Sequence, residues 1–179
     1  MTYPDLFLPD ATERFIVDAS TVPVPKCNVL FRKWQGEPLI HDFGRKPVID
    51  YSGQPLFAEL AIRQRFAEDG WEARWVETYG TRPPKCLTAW KDDAYRNQEH
   101  VPFADEPITR LLADIARENG SYSGCWDVVA KKGELVIFAE SKRSKKDAIR
   151  ESQQGWLRAA LQCGLRPEHF LLVQWDFVA

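Results

Sequence analysis

Glu140 and Lys142 stand two residues apart at the end of an apolar run, Leu135-Val136-Ile137-Phe138. In a strand, residues two apart share a face, so this carboxylate and this amine point the same way. Burying such charges costs several kcal/mol unless they are paired or bind something. Asp127 lies in the preceding apolar stretch, Gly124-Cys-Trp-Asp-Val-Val-Ala, and is a second carboxylate in a costly place. A two-residue type II′ turn at Gly133-Glu134 would set Lys132 opposite Leu135 and Asp127 opposite Glu140; another turn would shift that register. Directly opposed residues have Cβ atoms roughly 4.5–5.5 Å apart. Two carboxylates that close repel unless a cation lies between them. A pair of carboxylates with backbone oxygen beside them, the Ser141 carbonyl being the candidate, is a hard oxygen site. Such a site suits Mg²⁺ or Mn²⁺. A neighbouring lysine can hold a water or offset charge on a phosphate.

The elements that must position these groups are legible as a pattern. The periodicity predicts a strand at 123–130, a turn, a strand at 135–142, a helix at 147–163 and a strand at 169–177. Upstream, it predicts a helix over 55–69, with Pro55 at its first position, Gly70 at its stop and Leu56, Leu60 and Ala67 on its inner stripe. A strand is expected at 71–79. Residues 80–106 read as irregular, and a helix follows at 107–118, with Ile108, Leu111, Leu112 and Ile115 on one face. Residues 1–50 read as short strands and loops punctuated by proline, with strands at 28–34 and 46–51. The order predicts an α/β fold, a mixed central sheet flanked by helices. It carries an N-terminal extension over 1–50 and a main domain over 51–179 with an inserted helical segment at about 80–121.

Asp127, a 12-residue gap, then Glu140-Ser141-Lys142 resembles the bipartite signature of the PD-(D/E)XK nuclease superfamily. Trp126 stands where that superfamily often has proline. Gln153 followed by Trp156 is similar to the Gln-x-x-Trp of its VRR-NUC branch. At 100° per residue Gln153 also falls on the apolar face formed by Ile149, Trp156, Leu157 and Ala160. A polar group there must find a partner, either near Glu140 or in the backbone of the core. The resemblance covers roughly residues 55–79 and 122–177 and implies a restriction-endonuclease-like core. It implies Asp127, Glu140 and the Ser141 carbonyl as metal ligands for Mg²⁺ or Mn²⁺, Lys142 as the residue positioning water, and Gln153 in support. Glu59 resembles the glutamate that the family carries on the preceding helix, as a catalytic residue and further ligand. Its alternative is a surface pair with Arg63.

The bulk numbers are neutral on partners. The chain has 179 residues, 44% hydrophobic and 28% charged, with a formal net charge of −2. It therefore has no whole-protein basic field of the kind that nucleic acid attracts. Locally, however, Lys131, Lys132, Lys142, Arg143, Lys145, Lys146 and Arg150 face only Glu134, Glu140 and Asp147. Of these, Lys131, Lys132, Arg143, Lys145, Lys146 and Arg150 are the candidate phosphate contacts; the alternative is a solvated turn and helix start. Four scattered cysteines form no C-x-x-C pair, and no apolar run approaches the ~18 residues of a membrane span. The expectation is a cytoplasmic protein without membrane association that acts on nucleic acid, DNA before RNA, and that can form a homodimer. The competing expectations are an inactive nucleic-acid-binding module, with Asp127, Glu140 and Lys142 as a salt-bridge network, and a protein-interaction domain built on 1–50 and 80–121.

Overall fold

A computed structural model describes residues 3–78 and 83–178. Among them are nine strands and three α-helices. The strands are β1 (Ala11–Val17), β2 (Ser20–Lys33), β3 (Val48–Tyr51), β4 (Gln54–Phe57), β5 (Glu72–Glu77), β6 (Lys85–Leu87), β7 (Val128–Lys132), β8 (Leu135–Arg143) and β9 (Phe170–Phe177). The helices are α1 (Ala58–Glu68), α2 (Glu106–Asn119) and α3 (Glu151–Gln162). The strands form one mixed sheet in the order β4-β3-β2-β9-β8-β7-β5-β6, with β1 paired to β2 off that path. β9 runs parallel to both β8 and β2, and the other pairings are antiparallel. The chain is thus α/β, as the pattern predicts. No helix among the described residues is long and apolar enough to cross a membrane.

Both faces of the sheet are covered, so its central strands alternate between two apolar cores. Along β8, Val136 and Phe138 enter one core with Trp156, Leu157 and Ile115. Ile137 and Ala139 enter the other with Ala61, Ile62 and Phe66 of α1. Val76 is buried in the first core as well. The alternation continues past Ala139. Glu140 and Lys142 therefore leave the sheet on the α3 side, and Ser141 and Arg143 on the α1 side.

The β7–β8 hairpin has the expected register. Lys132 pairs with Leu135 and Val128 with Ala139, and the same sum brings Asp127 opposite Glu140. Gly133 has φ +59 while Glu134 has none of the positive φ that a type I′ turn would need, which agrees with a type II′ turn. α2 matches its prediction: the Asp105 side chain accepts from the Ile108 N–H, and Gly120 ends the helix at φ +79.

Five expectations are corrected. Pro55 lies in β4, where it pairs with Asp50, and α1 begins only at Ala58. The inner face of α1 is Ala58, Ala61, Ile62 and Phe66 with Leu60, while Ala67 is only half-buried. β2 runs unbroken through Pro23 and Pro25, because β9 pairs with it only from Lys26 onward and both prolines face β1 alone. Through β2 the N-terminal fifty residues form part of the sheet. The stretch expected to be irregular holds β6, which extends the sheet from β5; residues 79–82, at the end of one predicted strand and the start of the insertion, lie outside the described residues. Finally, α3 begins at Glu151 and not at 147. Lys145 has φ +57 in the turn before it. Lys145 and Lys146 therefore precede the helix and do not oppose its dipole.

Where α3 meets the sheet, Gly124 admits no side chain. Its φ is +82, and a Cβ there would stand 2.0 Å from the Ser152 carbonyl oxygen. Gly124→Ala is expected to push the first turn of α3 off the sheet. The cost should be about 1–3 kcal/mol in urea unfolding, with loss of the near-ultraviolet signal of the buried Trp126 and Trp156.

Candidate active site

Five polar or charged side chains are buried among the described residues: Glu59, Gln98, Glu140, Lys142 and Gln153. Four of them are the residues singled out by spacing and resemblance. The fifth, Gln98, has an ordinary structural explanation. Its amide bonds the backbone of Lys91 and Asp93 and closes a loop.

The other four border a single cleft of about 860 Å³ at the ends of β5, β7 and β8, and Asp127 lines it with them. The β5 strand fixes Asp127 through a bond from the Val76 N–H to its carbonyl, 2.8 Å. Each of the two carboxylates then accepts a backbone N–H from across the hairpin. The Ser141 N–H donates to Asp127 Oδ2 at 3.0 Å, and the Asp127 N–H donates to Glu140 Oε2 at 3.3 Å. Lys142 Nζ lies 3.0 Å from Glu140 Oε1. Gln153 serves two ends at once: its oxygen accepts from the Arg150 N–H, 2.9 Å, and its Nε2 donates to Glu140 Oε1. The first contact closes the N-terminus of α3, and the second fixes the carboxylate. The polar residue on an apolar face has therefore found its partner at Glu140. Trp126, in the place of the family's proline, is fully buried against Phe170 and donates to the Gln153 carbonyl.

Electrostatics bear out the strain of this pairing. Burial, then the Glu140 and Glu59 charges, push the Asp127 carboxyl well above the usual carboxylate range. Burial also raises Glu140, but less freely, because Lys142 and hydrogen bonds from the Asp127 backbone and side chain favour its anion. Of the two, Asp127 is therefore the carboxyl that gives up its proton less readily.

Glu59, expected as a ligand, is engaged elsewhere. Its carboxylate pairs with Lys46 Nζ, which comes from the loop between β2 and β3. Arg63, the alternative surface partner, bonds the Ala73 carbonyl and Gln64 instead. Nothing in the sequence marked Lys46, which stands in a stretch that reads only as the start of a strand. Among the described residues no three Asp, Glu, His or Cys side chains form a group that could hold a metal ion by themselves. Asp127 and Glu140 remain as a two-carboxylate set. That fits Mg²⁺, which keeps several waters and commonly uses one or two protein carboxylates together with phosphate oxygens.

The basic candidates divide. Lys146 and Arg150 border the cleft. Lys145 is exposed on the turn beside them. Arg143 leaves by the opposite face of the sheet, stacked on Phe177 and paired with Asp176. Lys131 and Lys132 sit at the far end of the hairpin, four and five residues from Asp127, or roughly 13–17 Å along the strand at ~3.3 Å per residue. They pair there with Asp105 and Asp69. They are not part of the cleft. Trp90, the one tryptophan in a polar loop, packs against Phe43, Phe57 and Trp75 and offers no open stacking platform.

The sign of the Asp127 shift sets a pH dependence. A carboxyl whose folded pKa is raised binds its proton more tightly folded than unfolded. Wild-type stability therefore falls as pH rises from about 4, the unfolded value, through the raised folded value. Asp127→Asn removes that loss. In metal-free buffer the variant should be more stable than wild type at pH 8, with the difference vanishing toward pH 4, as read by urea unfolding across the range.

Comparison of the chain with protein-family models, curated proteins and solved structures finds no match, and the case for its chemistry rests on the residues of the cleft.

Proposed function

We propose that this protein is a metal-dependent nuclease of the PD-(D/E)XK kind, with a restriction-endonuclease-like core, that hydrolyses phosphodiester bonds of nucleic acid, DNA in the first instance. The observation that carries this reading is the convergence of Asp127, Glu140, Lys142 and Gln153 on one cleft, which four of the five buried polar side chains among the described residues border. A structural role does not call for two facing carboxylates at the mouth of a cleft, since their mutual repulsion costs stability.

When bound at Asp127 and Glu140, with the Ser141 carbonyl as a further oxygen, Mg²⁺ or Mn²⁺ would neutralise the pair and polarise a phosphoryl oxygen. Gln153 holds Glu140 in the orientation that this requires. Lys142, 9% exposed and pointing into the cleft, is placed to orient water and to meet charge developing on the phosphate. Lys146 and Arg150 at the rim, with Lys145 beside them, supply backbone-phosphate contacts that carry no sequence information. Arg143, Lys131 and Lys132 have no part in this reading.

One observation favours a second reading. Lys142 is bonded directly to Glu140 at 3.0 Å, as it would be in an inactive nuclease-fold module whose buried charges only satisfy one another. The two readings part on a cleavage assay with supercoiled, linear and branched DNA in Mg²⁺ or Mn²⁺. The nuclease reading predicts metal-dependent cleavage that Asp127→Ala and Lys142→Ala each lower by roughly 10²–10³-fold or more, while Lys131→Ala leaves it near wild type. A folded protein that binds no divalent cation at millimolar concentration and cleaves nothing would leave the module reading standing.

A further inference from the structure

Lys46 is a cation at the cleft that neither spacing nor resemblance anticipates, and the fold goes to some length to put it there. The turn before it has three consecutive residues in the left-handed region, Phe43 (φ +48), Gly44 (φ +81) and Arg45 (φ +65). A bulky aromatic residue at positive φ is costly and persists only where its surroundings hold it. Here they do. The Asp42 side chain accepts from the Arg45 N–H, and the Asp42 carbonyl from the Lys46 N–H. From the other side of the cleft's wall, Asp92 accepts from the N–H groups of both Ile40 and His41, and Trp90 donates to the His41 carbonyl. Phe43 and Trp75 then form an aromatic floor under the ammonium, with ring centroids 5.8 and 5.5 Å from Nζ. The Nζ reaches Glu59, which is itself buried. Burial works against the Lys46 charge, yet Glu59 and then Asp127 more than offset it and hold the lysine above its ordinary value.

The consequence concerns metal count. Five carboxylates border this cleft, Glu59, Glu77, Asp127, Glu140 and Asp147, and Glu140 and Glu59 are the two whose charges bear on Asp127. A set of that size would ordinarily be open to two divalent cations, as in two-metal phosphoryl-transfer sites. Lys46 closes that option. It occupies Glu59 and puts a fixed positive charge where a second cation would have to bind. We propose that Lys46 is a positioning residue that withholds Glu59 from metal coordination, so that the cleft takes one divalent cation, on Asp127 and Glu140, and uses the lysine in place of a second. The inference rests on the nuclease reading of the same site, but it concerns binding and is tested without cleavage.

The test is a titration of the purified protein with Mn²⁺, with free ion followed by electron paramagnetic resonance. Wild type should bind one Mn²⁺ per chain. Lys46→Met keeps the apolar stem over Phe43 and Trp75 but removes the charge, and should bind two. Lys46→Arg should stay at one, and the double variant Lys46→Met with Glu59→Gln should return to one. Two ions on wild type, or one ion of unchanged affinity on a Lys46→Met protein that melts cooperatively, would overturn the inference. Should Lys46→Met not fold, Glu59→Gln alone decides. Its single Mn²⁺ should bind with little change, and a loss of roughly tenfold or more, the size expected when a metal's supporting residues are removed, would make Glu59 a ligand and overturn the proposal. No Mn²⁺ on wild type would overturn the metal reading of the whole cleft, an outcome distinct from a count of two.

Discussion

The repulsion between Asp127 and Glu140 is the interaction around which this structure is arranged. A hairpin register brings the two carboxylates opposite one another, and burial makes their charges expensive. Almost every nearby feature answers that expense. Ser141 donates its N–H to Asp127. Asp127 donates its own N–H to Glu140. Lys142 and Gln153 both converge on Glu140 Oε1. What remains unanswered still holds the Asp127 carboxyl well above the usual carboxylate range. A divalent cation would answer it more fully, because it would neutralise both carboxylates at once.

Positioning the pair requires the rest of the fold. The two carboxylates meet only because both faces of the sheet are packed, so that the alternation along β8 continues without slippage to its polar end. Gln153 reaches Glu140 only because α3 docks its first turn against Gly124, where no Cβ fits. The fold and the electrostatics are thus coupled: loosening α3 frees the side chain that orients Glu140. Lys46 and Glu59 extend the same logic to the opposite wall, where an ion pair held by a clamped left-handed turn answers a third carboxylate.

The hairpin, the facing carboxylates, Gln153 on the inner face of its helix and the ends of α2 were legible in the sequence, because each depends on local periodicity or on one turn residue. The start of α1 was not, since Pro55 suits a helix N-terminus and an edge strand alike and only pairing with Asp50 decides it. The 14-residue β2 was hidden by its two prolines, whose tolerance depends on which edge β9 leaves open. Lys46 was invisible for a deeper reason. Its role comes from contacts with Glu59 and Trp75, 13 and 29 residues away, and from a turn whose left-handed residues include a phenylalanine. Lys131 and Lys132 illustrate the converse error: counting charges along the chain placed them with the site, whereas the hairpin carries them to its far end.

The central claim is that Asp127 and Glu140 are placed to share one divalent cation. Calorimetric titration with Mg²⁺ or Mn²⁺ at neutral pH, on wild type and on Asp127→Asn, tests that claim most directly. The account predicts binding by wild type that is lost or sharply weakened in the variant. Binding of equal strength in the variant, or no binding by wild type at millimolar metal, would contradict it.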